Sequence, residues 1–182
     1  MTTNDPLAPR TRSGTTASAA ARAAMAIDRA TLVTFAVGDD LLAAPVESVE
    51  RVLRWELPSS VPNMPDWLEG VITHSGRIVP VIDLRRRLGR NAADSDDHTR
   101  IVVFATQTEW LAAIVDSVPD VITVDAATIA PPPSIVRGLS GEYLLGLVKH
   151  NSRVVLVLDV GKLLSATEQL TLHALSEGAA HD

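Results

Sequence analysis

Short runs of β-branched and aliphatic residues, separated by Gly, Asn, Asp and Pro, recur along the chain and predict a mainly β protein. Thr31 to Val37 is the first run, Gly38-Asp39-Asp40 a turn, and Leu41 to Pro45 a second strand. Val46, Val49, Val52 and Leu53 then recur at helical spacing through VESVERVL, which predicts a short helix with Glu47, Glu50 and Arg51 on its solvated side. Pro58, Pro62 and Pro65 break the next stretch into an extended surface connection. Gly70 to Gly89, GVITHSGRIVPVIDLRRRLG, spells a hairpin with its turn at Ser75-Gly76, a return arm from Ile78 to Ile82, and a helix over Leu84 to Leu88. Asp83 is the residue type that caps such a helix, and Gly89 suits the position past its end. The basic run Arg85, Arg86 and Arg87 is expected to be a solvated helix end.

Beyond the polar connection Arg90 to Thr99, strands are predicted at Arg100 to Thr106, Trp110 to Val115, Tyr143 to His150 and Arg153 to Leu158, with a turn at Gln107 to Glu109. Val118 to Val124 carries Pro119 and is therefore expected to be extended, unlike its helical counterpart. Pro131 to Pro133 mark another rigid link. A final helix is expected from Val160 towards Ala174, with Leu163, Leu164, Leu170 and Leu172 as apolar contacts.

The second half repeats the first. Gly146 to Leu164, GLVKHNSRVVLVLDVGKLL, parallels Gly70 to Gly89, and each copy reaches its aspartate, Asp83 or Asp159, thirteen positions after its opening glycine. Upstream, LLAAPVESV (Leu41 to Val49) matches WLAAIVDSV (Trp110 to Val118) at an offset of 69. Matched blocks in the same order mean an internal duplication, and many short strands with proline-rich links mean two small barrels packed together. Each half is short for a stable core, so a joint core including Val118, Val121 and Leu147 is expected to close between them.

Composition narrows the function. With 46% hydrophobic residues the chain has material for a core, whereas a net charge of −6, a pI near 5.3 and 3% aromatics disfavour nucleic-acid binding. The absence of cysteine removes thiol nucleophiles and thiolate metal sites and fits a reducing cytoplasm. No apolar run approaches the roughly 18–20 residues of a membrane span, so no direct membrane insertion is expected. Residues 1–30, rich in Thr, Ser, Ala and Arg, are expected to form a mobile tail with a short helix around Ala17 to Ala26; Arg22 and Asp28 interrupt any secretory apolar core.

Candidate chemistry is sparse. His74, Ser75 and Asp83 have the residue types of a hydrolase triad, but Ser75 is not in a G-x-S-x-G elbow. His74 and His150 occupy matching turns, which makes them exposed turn residues. Asp94, Asp96, Asp97 and His98 lack the glycine and closing glutamate of a calcium loop and read as a linker. The chain contains no H-E-x-x-H, phosphate loop or dinucleotide fingerprint. These features predict a binding module without catalytic residues, cofactor or metal.

Several blocks carry a family resemblance: Phe35 and Gly38, Val46 and Val49, Pro62 to Pro65, Gly70 to Leu84, Val115 to Val118, Leu139 to Leu147, and Leu158 to Ser165. Together they resemble CheW, the chemotaxis adaptor, from about Leu32 to Leu164. The resemblance implies two five-stranded SH3-like barrels with short helices, a CheW-like domain over 31–165 (first half about 31–90, second about 100–165) and a C-terminal helix or tail over 166–182. It implies no catalysis. The implied partners are the regulatory domain of a CheA-type histidine kinase and the cytoplasmic tip of a chemoreceptor, in a cytoplasmic protein at membrane-associated receptor arrays. The alternative is a divergent CheW-like protein without normal receptor coupling, in motility or pilus control.

The implied kinase contact lies on the barrel from Val46 to Leu88, near Val49, Val52 and Gly70, with Gly70→Asp expected to weaken binding and spare the fold. Two positions depart from the family pattern. Ser75 stands where a hairpin N-L-R-G has arginine, and Ser48 stands where V-x-E-V has glutamate, with Glu47 and Arg77 as neighbouring substitutes. Loss of both members of an acid–base pair is expected to be a coupled change, because one charge alone would be left unpaired.

Overall fold

A computed structural model describes residues 28–106, 109–133 and 141–179. The expected N-terminal tail, apart from its last residues, and the turn residues 107 and 108 lie outside the described residues. Among the described residues ten strands run in order: β1 (Arg29–Val37), β2 (Asp40–Pro45), β3 (Val49–Arg54), β4 (Gly70–His74), β5 (Arg77–Asp83), β6 (Arg100–Ala105), β7 (Trp110–Val115), β8 (Val121–Asp125), β9 (Leu144–His150) and β10 (Arg153–Leu158). Helix α1 (Leu84–Arg87) follows β5, and helix α2 (Ala166–Ala179) follows β10.

The strands form two five-stranded sheets, and the two halves of the sequence are interleaved between them. One sheet has the order β8-β1-β2-β10-β9 and the other β3-β6-β7-β5-β4. Each therefore combines a hairpin from one repeat with three strands from the other. The joins are the parallel pairs β2–β10 and β5–β7, through Leu42 opposite Leu156 and Ala113 opposite Ile82. Strands β3 to β7 are contiguous in sequence and make barrel 2. Barrel 1 is split, with β1 and β2 before that insertion and β8 to β10 after it.

Each sheet curls until the chain beyond one edge strand meets the other edge. Past β3, Ser59 bridges Val71 on β4; past β8, Ala130 bridges Leu147 on β9. Both closures run over a glycine. A Cβ on Gly70 would lie 2.6 Å from the Ser59 carbonyl oxygen and 2.8 Å from the Pro58 Cβ, and one on Gly146 would lie 2.6 Å from the Ala130 carbonyl oxygen.

Alternation explains why the central strands look uniformly apolar. On β6, Ile101 and Val103 face the interior of barrel 2, while Val102 and Phe104 face barrel 1. On β7, Ala112 and Ile114 fill barrel 2, while Leu111, Ala113 and Val115 join the shared core. Strand β2 does the same, with Ala43 inside barrel 1 and Leu42 and Ala44 between the barrels. Among the described residues the shared core holds nineteen buried side chains and each barrel interior seven, so the interface is the largest apolar cluster. Phe35 and Phe104 meet edge-to-face at its centre, 6.1 Å between centroids.

Several expectations change. VESVERVL is a 3-10 turn at Val46–Ser48 followed by β3, because the backbone of β6 pairs with Val49 to Arg54; a β-branched run beside an open sheet edge follows the ladder despite its helical spacing. The two copies thus agree, since β3 and β8 are both strands. The helix expected from Val160 is a single 3-10 turn at Val160–Lys162, without a side-chain cap from Asp159, before α2 starts anew. Leu170 and Val121 are 71% and 55% exposed and contribute little to the core, whereas Leu163, Leu164 and Leu172 are buried. Val118 packs against the shared core. The hairpin, its turn and the Asp83 cap stand as expected, with the Asp83 carboxylate accepting from the Arg85 amide at 2.9 Å.

Candidate functional site

The β4–β5 hairpin tip is the first element to consider. Ser75 and Gly76 take left-handed backbone angles, φ 48° and 74°, which lets a two-residue turn reverse the strand. The residues flanking that turn pack on a tryptophan from the other repeat: the His74 ring lies 5.7 Å from Trp110, and the Arg77 guanidinium 4.6 Å over it. Ser75 Oγ is 3.4 Å from His74 Nε2 and exposed. Asp83 lies at the far end of β5, about 20 Å along a seven-residue strand, where it is bonded to Arg85. The triad residue types are therefore not assembled.

The basic run on α1 is an ion-pair hub rather than a solvated end. Arg85, 4% exposed, donates to both Asp83 oxygens at 3.1 and 3.0 Å and to Asp116 Oδ1 at 3.2 Å. Asp116 Oδ2 accepts the Gly38 amide at 2.6 Å, so the network joins barrel 2 to the β1–β2 turn of barrel 1. Burial works against the Arg85 charge, but the two carboxylates outweigh it and raise its pKa. Arg87 donates to Glu168 on α2 at 2.9 and 2.7 Å, and only Arg86 extends into solvent, 2.8 Å from Glu69. Burial opposes the Glu168 charge as well, yet the bonds from Arg87 and Ser165 lower its pKa.

Between the barrels lies a groove of about 370 Å³, lined by Ser48, Thr106, Leu145, Asp159, Gly161 and Gln169 among others. Ser48 thus occupies a groove wall. Val49 is half-buried against the shared core, whereas Val52 is 38% exposed on the outer face of barrel 2, and Ile78 and Arg77 are exposed on the same barrel. Gly70 is not part of that surface. It is buried at φ 146° beneath the closing segment, which gives it a part in barrel closure. Gly70→Ala should lower unfolding free energy by roughly 1–3 kcal/mol in urea titration, and Gly70→Asp by more. A variant melting like the wild type would contradict the closure role.

Among the described residues no hydrogen bond or ion pair joins Ser48 to Ser75. One lines the groove, and the other tips the hairpin. Asp96, in the acidic linker, spends its carboxylate on its own turn, accepting the His98 and Thr99 amides at 2.8 and 3.0 Å; the His98 bond, with help from the Thr99 bonds, lowers its pKa against the opposing cost of desolvation.

The CheW-like domain model matches residues 31–168, which spans both barrels and the start of α2. The chain belongs to the CheW family. This CheW-like chain is 34% identical over 137 residues to protein FrzA from Myxococcus xanthus, covering 74% of this chain and 85% of FrzA. It is 31% identical to the chemotaxis protein CheW of Klebsiella aerogenes, covering 74% of this chain and 81% of that protein. The structure resembles the scaffolding protein TtCheW from Thermoanaerobacter tengcongensis with a TM-score of 0.69 at 25% identity, over 76% of this chain and 90% of TtCheW. The features that sequence reasoning missed in this CheW-like fold are the Arg85 and Arg87 pairs. Ser165-Ala166-Thr167-Glu168, an S-x-x-E capping box, was the available signal for the start of α2.

Proposed function

We propose that this CheW-like chain is a non-enzymatic adaptor that couples chemoreceptors to a CheA-type histidine kinase. The observation that carries this reading is the family match across both barrels together with their preserved packing. Two barrels on one rigid shared core offer two partners fixed positions relative to each other, which is what a coupling protein requires. In finer detail, the kinase regulatory domain docks on the outer face of barrel 2 around Val52, which is exposed on the edge strand β3. The receptor's cytoplasmic tip docks in the groove beside Ser48, and the chain works in the cytoplasm at receptor arrays. No helix among the described residues is long and apolar enough to cross a membrane.

The departures at Ser48 and Ser75 favour a second reading, in which the protein binds the kinase but does not couple it to receptors. A capture experiment separates the two. Purified chain should retain the kinase regulatory domain, and Val52→Asp should weaken retention about tenfold with unchanged melting. A receptor cytoplasmic fragment should be retained as well, and Ser48→Trp should abolish it. Kinase capture without receptor capture selects the second reading; capture of neither removes the adaptor function.

A further inference from the structure

Helix α2 is held against the barrels largely by charge. Among its described side chains only Leu172 is buried, and a 14-residue helix is marginal on its own. Its first turn is clasped instead. Glu168 accepts both Arg87 bonds and also the Ser165 amide at 2.7 Å, so one carboxylate caps the helix and anchors it. The Arg87 guanidinium lies 5.8 Å from the Trp67 ring centroid and 5.9 Å from that of Tyr143. Trp67 comes from the β3–β4 connection, Arg87 from α1 and Tyr143 from the approach to β9, so both barrels and the helix meet at this one side chain. Further along α2, His173 lies 3.3 Å from Glu109 beside β7.

The same helix walls the groove. Gln169, one residue past Glu168, lines it together with Ser48, Thr106 and Gly161 from the preceding 3-10 turn. Loosening the first turn of α2 therefore moves a wall of the groove and uncovers Leu172.

We propose that α2 is a strap latched through Arg87, and that its docking and the occupancy of the groove by a receptor segment strengthen each other. The coupling rests on the reading of the groove as the receptor site. It is reciprocal: a segment that binds best to the strapped form must also hold the strap in place.

The test uses full-length chain with Glu168→Gln, which keeps a side-chain oxygen for the Ser165 amide and removes the charge facing Arg87. Amide hydrogen exchange in α2 should quicken about tenfold while β6 and β7 stay protected, and Arg87→Met, which leaves Glu168 free to cap the helix, should quicken it as well. The receptor cytoplasmic fragment should slow α2 exchange in the wild type and bind Glu168→Gln several-fold more weakly. Unchanged α2 exchange in Glu168→Gln overturns the latch. Faster exchange with undiminished fragment affinity overturns the coupling. A wild-type chain that does not bind the fragment overturns the groove reading and the coupling with it, while α2 exchange still decides the latch.

Discussion

Two fragments made by cutting the chain between Asp94 and Asp97 should each be unfolded alone and should regain the native fold when mixed. The cut falls between α1 and β6, inside barrel 2 rather than between the barrels. The first fragment keeps β1 and β2 without the rest of barrel 1, and β3 on an edge where its partner β6 is missing. The second keeps β6 and β7 as a bare hairpin, and two strands alone are marginal in water. Neither fragment can assemble the shared core, because Phe35 and Leu42 lie on one side of the cut and Phe104, Leu111 and Leu158 on the other. The expected loss is the whole folding free energy, on the order of 5–15 kcal/mol. Mixed at equal concentration, the fragments should rebuild the β2–β10 and β5–β7 pairs and give one concentration-dependent melt by circular dichroism. A fragment that melts sharply by itself would show that interleaving does not bind the halves together.

Arg85→Met should cost about 3–5 kcal/mol in urea unfolding, the largest loss expected from one side chain. Met has similar length and fills the space, so the loss would report charge rather than volume. Asp83, 5% exposed, would keep a buried carboxylate with its guanidinium partner gone, and Asp116 would lose its link to α1. Adding Asp83→Asn should recover part of the loss, because the residual unpaired charge is removed; the two changes should therefore interact by roughly 0.5–3 kcal/mol. Arg86→Met is the control. That neighbour is 57% exposed and Glu69 is 24% exposed, against 4% and 5% for Arg85 and Asp83, so the change should cost clearly less, about 1 kcal/mol. Equal losses at 85 and 86 would mean that the Arg85 network adds nothing.

That adjacent arginines in one run should differ so much is a lesson about legibility. Arg85, Arg86 and Arg87 are alike in sequence, and a basic run at a helix end is ordinarily solvated. Their fates differ because α1 packs where β7 ends and α2 begins, so that 85 points to Asp116, 87 to Glu168 and 86 to solvent near Glu69. None of those partners lies within the local window; only Asp83, the other partner of Arg85, does. The same holds for Gly70. Its hairpin was readable from the turn residues, but its need to be glycine comes from Ser59, which approaches only when the barrel closes. VESVERVL shows the reverse error: a helical spacing of valines gave way to a ladder with β6, fifty residues downstream.

The sequence by itself determined that this protein is β-rich, duplicated and built for binding, because strand alternation, turn residues and repeat spacing are local or self-referential patterns that the chain carries openly. Only the tertiary structure decided which repeat lends which strand to which barrel, and with it where the shared core, the buried ion pairs and the groove lie. The physical reason is that both repeats present nearly equivalent hairpins and edges, so a pairing within a repeat and a pairing between repeats satisfy the same backbone bonds. What separates them is the second apolar face of strands such as β2, β6 and β7, which is covered only when the two barrels close on each other.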